Sequence, residues 1–145
     1  MKTEDLAYFA GIIDGEGSIY ILQFRQSQPY YAGLAVYNTN RVLLEWVVEH
    51  FGGNITTKPA EKGRHKIVYL WRNGVIKDNL TILEQILPFL IVKKQQALLA
   101  LEFLKLQVSR GKGRPRYSHD DINLLRSYYE QMSKLNKRGE EVESV

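Results

Sequence analysis

The 145 residues contain no cysteine, which excludes a disulfide framework, a thiolate nucleophile and any zinc or iron site built on sulfur. Long apolar runs are missing too: a stretch such as Ile86 to Val92, with Pro88 inside it, falls far short of the roughly 20 residues a membrane span needs. No transmembrane helix and no membrane partner are expected. The start, Met1-Lys-Thr-Glu-Asp5, carries two acids and matches neither a secretory nor an organellar presequence, so an intracellular, non-secreted protein is expected. The three histidines, His50, His65 and His119, lack the spacing of a metal site or a relay and read as surface or capping residues. No Ser-His-Asp arrangement can be argued.

What is present is enough for one packed core. Hydrophobic residues make up 44%, charged residues 25%, and nine Tyr, five Phe and two Trp argue against disorder. The net charge is +4, but Gly139 to Val145 holds three glutamates and no base, so residues 1–138 carry +7. A basic body of this kind is compatible with a polyanionic partner, most simply nucleic acid.

Periodicity sets the order of elements. Leu6, Phe9, Ile12 and Ile13 recur at helical spacing after Thr3, a plausible N-cap, and the helix stops near Asp14-Gly-Glu-Gly17. Residues 18–26 and 30–38 read as a β-hairpin, 40–51 as a helix closing on Gly52-Gly53, 54–58 and 66–73 as a second hairpin, and 75–87 as a helix. Helices over 93–108 and 118–137 follow, separated by the basic loop Arg110-Gly-Lys-Gly-Arg-Pro-Arg116. The fold class is therefore α+β, with a single domain over 1–138 and a disordered acidic tail over 139–145. The two hairpin regions, 17–44 and 50–77, hold eight Lys or Arg against one acid, Glu61, so a four-stranded antiparallel sheet would turn a basic face away from its helices. Lysine and arginine on a sheet surface also discourage aggregation, and composition does not separate the two roles.

Ala7, Gly11 and Gly15 fall four residues apart and make one ridge of small side chains along the first helix. Each helical glycine costs about 1 kcal/mol relative to alanine, a cost that close contact with another helix would offset. That contact could lie within the domain or with a second copy. Asp14 and Glu16 sit at the helix's C-terminal end, where the macrodipole disfavours negative charge, so a nearby cation is expected. In a two-fold contact along the ridge, the two Glu16 carboxylates would meet and require shared protons or a hard divalent metal such as Mg²⁺. An EF-hand is excluded, because the run lacks that loop's later ligands.

The stretch Phe9-Ala-Gly-Ile-Ile-Asp-Gly-Glu-Gly17, followed by Ser18-Ile19, resembles the signature nonapeptide of the LAGLIDADG homing endonucleases. It departs from that signature at Phe9 and Ile12, each in place of Leu, at Gly15 for the common Ala, and at Glu16 for the usual second Asp. The family's α-β-β-α-β-β-α core matches the order read above over residues 1 to about 109, leaving the basic loop and last helix, 110–138, as an appendage. A single motif implies a homodimer paired through the first helix.

The resemblance implies a site-specific, divalent-metal-dependent endonuclease that hydrolyses both strands of a long pseudo-palindromic duplex DNA target. It leaves 3′ overhangs, and intron encoding is expected, in a prokaryotic cytoplasm or an organelle with its own introns. By similarity Glu16 is the direct metal ligand and the Gly15 carbonyl a second one, for Mg²⁺ or for Mn²⁺ or Ca²⁺ in the same sites. Ala7, Gly11 and Asp14 are structural at the helix pair. Asn38, ending Leu34-Ala-Val-Tyr-Asn38, takes the place of an amide that orients catalytic water. Lys93, in Pro88-Phe-Leu-Ile-Val-Lys93, takes that of an active-site lysine, with Lys94 as runner-up. Left to the residues alone, Asn38 is equally a turn or helix-cap residue and Lys93 a solvated lysine.

Base reading is expected from the outer sheet face in the major groove. Gln23 and Arg25 share the parity of the core residues Ile19 and Ile21, so a bulge near Leu22 is expected to restore a polar outer face. Gln23, Arg25, Gln26 and Tyr37 are then candidate DNA contacts, together with Lys58, Arg64, Lys66 and Arg72. Arg110, Lys112, Arg114 and Arg116 are candidate phosphate contacts. Three other readings stand beside this one: an intron RNA splicing maturase, a cleavage-inactive DNA-binding regulator of the same fold, and an α+β domain whose first helix packs internally.

Overall fold

The computed structural model describes residues 1–23, 30–58, 66–110 and 117–143, with side chains described through Lys137. The elements follow the chain as α1 (Thr3–Glu16), β1 (Gly17–Gln23), β2 (Tyr30–Asn38), α2 (Arg41–Phe51), β3 (Asn54–Lys58), β4 (Val68–Arg72), α3 (Ile76–Ile86), a 3-10 turn at Leu87–Phe89, α4 (Lys94–Arg110) and α5 (His119–Glu143). The strands form one antiparallel sheet in the order β1-β2-β4-β3, so each hairpin pairs internally and the hairpins join through β2 and β4.

Strand alternation decides which side the helices cover. Ile19, Ile21, Leu34, Val36 and Trp71 are buried beneath them. Phe9 of α1 stacks on Phe51 at 4.2 Å and meets the Trp71 ring edge-on at 5.6 Å, which fixes α1 across the sheet. Burial of one such side chain is worth about 1.5–3 kcal/mol. Trp71 also donates from its indole nitrogen to the Gly52 carbonyl at 2.8 Å, tying the end of α2 to β4.

α5 lies against α4 and β1. Its core contacts are Leu125 and Met132, Tyr129 packs on Tyr30 with centroids 5.4 Å apart, and Asn136 donates to the Ile19 carbonyl at 3.2 Å. Among the described residues no helix is long and apolar enough to cross a membrane.

The structure corrects four local expectations. Thr3 lies inside α1, whose N-cap position is Lys2 without a side-chain cap, because Glu4 and Asp5 already favour the first turn electrostatically. The β1–β2 register runs unbroken from Gly17↔Val36 to Gln23↔Tyr30, so there is no bulge near Leu22 and Gln23 keeps the helix-side parity. β4 starts at Val68, two residues later than expected. Finally, α5 continues to Glu143 in place of an unstructured tail. Gly139 costs such a helix only about 1 kcal/mol, and the glutamates that follow are good helix formers.

Candidate active site at the end of the first helix

α1 delivers its last turn directly into β1, without a loop. Gly17 makes this possible: a Cβ there would stand 2.8 Å from the Ile13 backbone and 3.1 Å from the Ala35 carbonyl oxygen. Glu16 is therefore held at the rim where helix and sheet meet, its carboxylate exposed. The Asn38 amide, at the end of the neighbouring strand, donates to a Glu16 carboxylate oxygen. The Asn38 carbonyl oxygen accepts from the Asn40 backbone N–H at 2.7 Å, and the Asn40 side chain caps α2 through the Val42 N–H at 3.0 Å. These bonds fix the orientation of the Asn38 amide, so it is both a turn residue and the partner of Glu16.

Asp14 and Lys93 form a reciprocal joint. The Asp14 carboxylate accepts from the backbone N–H groups of Ile91 (2.8 Å), Val92 (3.2 Å) and Lys93 (3.0 Å), satisfying the donors of the bend that leads into α4. The Lys93 ammonium donates to the carbonyls of Ile13 (3.0 Å) and Asp14 (2.8 Å), the negative end of α1. The ammonium thus stands beside Asp14. Burial lowers the pKa of Lys93 below its ordinary value, against the raising effect of Asp14. Lys94 is exposed.

The small ridge looks outward. A Cβ on Gly11 or Gly15 would meet nothing within 4 Å among the described residues, and Ala7 and Tyr8 are exposed beside it. The buried face of α1 is instead Phe9, Ala10, Ile12 and Ile13, which overturns the reading in which the ridge packs inside the domain. Next to the Asp14 joint, Ile91 is 86% and Val92 70% exposed, so an apolar surface continues past the end of the ridge.

The donors at this rim are hard oxygens: the exposed Glu16 carboxylate and the Gly15 carbonyl, which no side chain among the described residues approaches as a donor. They fit Mg²⁺ or Ca²⁺ bound from one side, with water or phosphate oxygens completing the shell. Among the described residues of one chain, no three His, Cys, Asp or Glu side chains cluster to hold a metal by themselves.

The remaining candidate DNA contacts are spread along the sheet and its ends. Tyr37, Lys58 and Arg72 belong to the face opposite the helices, Lys66 is exposed just before β4, and Gln23 is exposed at the end of β1. Arg110 does not stand free at a loop: it pairs with Asp121 at 2.8 Å and lies 3.7 Å over the Tyr117 ring. Arg25, Gln26, Arg64, Lys112, Arg114 and Arg116, with His65, lie outside the described residues. His50 is half-buried rather than a surface residue, stacked against Trp46 at 4.4 Å and bonded through Nδ1 to the Trp46 carbonyl at 2.8 Å.

Sequence reasoning passed over Arg41, which opens α2 three residues after Asn38, bonds Glu45 at 3.0 Å and lies 5.4 Å over the Tyr69 ring. A base directly after the Asn40 cap was the available signal.

By sequence, no family model and no curated protein matches this chain. By structure, the similarity is extensive. The homing endonuclease I-CvuI, solved with its target in the presence of Ca²⁺, superposes with a TM-score of 0.57 at 18% identity, over 90% of this chain and 96% of that one. The archaeal intron-encoded homing endonuclease I-Vdi141I, complexed with DNA, gives 0.57 at 20% identity, over 90% and 97%. I-SmaMI, bound to an uncleaved DNA target in the presence of calcium, gives 0.65 at 24% identity over 90% of this chain, which spans 45% of that longer one. A LAGLIDADG meganuclease, I-AabMI, bound to uncleaved DNA, gives 0.66 at 19% identity.

The chain has the LAGLIDADG homing endonuclease fold. Within that fold the signature-like segment Phe9–Gly17 is the second half of α1 and its exit into the sheet, with Glu16 and Asn38 joined at the rim.

Proposed function

We propose that this protein is a site-specific, divalent-metal-dependent endonuclease that acts as a homodimer on double-stranded DNA, cutting both strands of a long pseudo-palindromic site. The observation that carries the reading is the exposed Glu16–Asn38 pair at the foot of an outward-facing glycine ridge. In a fold whose solved examples include DNA-bound endonucleases, that arrangement supports one cutting centre per copy.

Glu16 and the Gly15 carbonyl would hold the metal ion, Mg²⁺ in the working enzyme. When bound, it supplies charge neutralisation at the scissile phosphate and acidifies a water molecule. Asn38 orients the Glu16 carboxylate and shares its hydrogen-bonding shell with the attacking water. That water gives up a proton to solvent as its oxygen bonds to phosphorus, the bond to the 3′ oxygen breaks, and the leaving oxygen takes a proton from solvent, giving a 3′-hydroxyl and a 5′-phosphate. Lys93 contributes positive charge without acting as a base, because its ammonium is committed to the end of α1.

Two copies paired along Ala7, Gly11 and Gly15 would set their centres across the minor groove and leave 3′ overhangs. Intron encoding, and work inside the cell or organelle that carries the intron, complete the proposal.

The test is selection of cleaved duplexes from a randomised DNA library in Mg²⁺, with Glu16→Gln and a chelator as controls. One long pseudo-palindromic site cut on both strands by the wild type alone is the expected result. Selective binding with no cutting at any metal concentration would contradict it and favour a DNA-binding regulator, and metal-independent capture of structured RNA would favour a maturase.

A further inference from the structure

The sheet face turned away from the helices is less basic than its composition suggests. Cross-strand pairing arranges it in rows, read outward from Asn38. Tyr37 lies beside Leu70 and Thr56; next come Ser18, Ala35, Arg72 and Asn54; then Tyr20 across Gly33; and last Leu22 beside Tyr31. One hydrogen-bonding row is thus flanked on both sides by aromatic and aliphatic ones. A sheet face left to water ordinarily alternates to polar side chains. Here Tyr37 is 39% and Leu22 36% exposed.

The polar row is anchored by aromatic packing. Tyr20, only 9% exposed, reaches over Gly33, where a Cβ would come 2.8 Å from its hydroxyl oxygen. Its ring meets Tyr31 edge-on at 5.9 Å and carries the Arg72 guanidinium at 5.4 Å. Lys58 lies 6.0 Å over the Tyr37 ring. The described residues of this face therefore include two cations and no acid. That charge disfavours a second copy of the same face and favours a polyanion.

Of the groups duplex DNA offers in its major groove, the one suited to an aliphatic or aromatic side chain is the thymine 5-methyl. We propose that this face selects DNA by thymine methyl groups, with Tyr37 and Leu70 packing on one set near the cutting centre and Leu22 and Tyr31 on another farther out, separated by base pairs that face Arg72. The inference rests on the endonuclease reading and adds the chemistry of its target.

The test uses the full-length wild-type protein and the site recovered by binding selection in Ca²⁺, with each thymine replaced in turn by deoxyuridine. At thymines facing either apolar row, loss of the methyl is expected to weaken binding about fourfold, the equivalent of one buried methylene. Leu22→Gln should abolish the methyl dependence at the outer thymines while leaving the inner ones sensitive, and Tyr37→Gln should do the reverse. Equal affinity for thymine and deoxyuridine at every position of a specifically bound site would overturn the proposal and leave the endonuclease reading intact. Binding to no duplex at all would overturn both.

Discussion

Two helix junctions in this protein use the same chemistry and do different work. Where α1 meets α4, Asp14 binds three backbone N–H groups and Lys93 binds two carbonyls, joining residues 77 to 80 positions apart. Where α4 meets α5, Asp121 accepts from Arg110 at 2.8 Å and exchanges bonds with Ser118 in a capping box, across a separation of 11 residues or fewer. The first acid and base are half-buried and tie the end of α1 to the segment that leads into α4. Asp121 is partly exposed; its pKa is lowered first by its bonds to Ser118 and only then by Arg110. An acid and a base therefore join distant segments in one place and neighbouring ones in the other. The distance along the chain that is bridged makes the difference.

The contrast can be broken from its strong side first. Asp14→Ala leaves the three N–H groups of the bend before α4 without their acceptor, and a loss of about 2–3 kcal/mol, or roughly 8 °C in Tm, is expected by calorimetry at fixed protein concentration. Lys93→Met should cost about 1–2 kcal/mol in urea unfolding, since the two carbonyls keep partial access to water.

In NMR detection of the lysine ε-carbons, Lys93 should titrate below the other lysines. Because the folded chain releases this proton before the unfolded chain does, the group's contribution to stability rises with pH from its folded pKa up to the ordinary lysine range. Lys93→Met should lose that alkaline gain. Glu16→Gln, two residues from Asp14, should change Tm by no more than about 0.5 kcal/mol equivalent, because the side chain is exposed and Asn38 can still pair with an amide. The smallest effect is reserved for Arg110→Ala, with no measurable shift in Tm. A loss there comparable to that of Asp14→Ala would remove the distinction between the junctions.

Much of this architecture is legible in the residues. The helix and strand order follows from period-3.6 and period-2 patterns that burial then enforces, and Phe9, Ile12 and Ile13 fall on the covered face as their spacing requires. Glu16 stands out because an acid at a helix's C-terminal end conflicts with the macrodipole.

Other features depend on tertiary partners that no local pattern encodes. Lys93 reads as a solvated lysine until α1 supplies its carbonyls, and Arg110 as a loop base until Asp121 and Tyr117 are beside it. A polar outer face would require a bulge near Leu22. The regular β1–β2 register instead puts Tyr20 and Leu22 outward, because the face is aromatic and not because the strand is irregular. Alternation with Ile19 and Ile21 already contained that answer.

The central claim is that each of two copies cuts one strand through its own Glu16. Wild-type and Glu16→Gln chains carrying different affinity tags can be co-expressed and the mixed dimer purified through both tags. Incubated in Mg²⁺ with a supercoiled plasmid bearing the selected site, it should give nicked circles, the wild-type dimer linear DNA, and the double variant no product. Linear DNA from the mixed dimer at the wild-type rate, or a chain that purifies only as a monomer, would contradict the account.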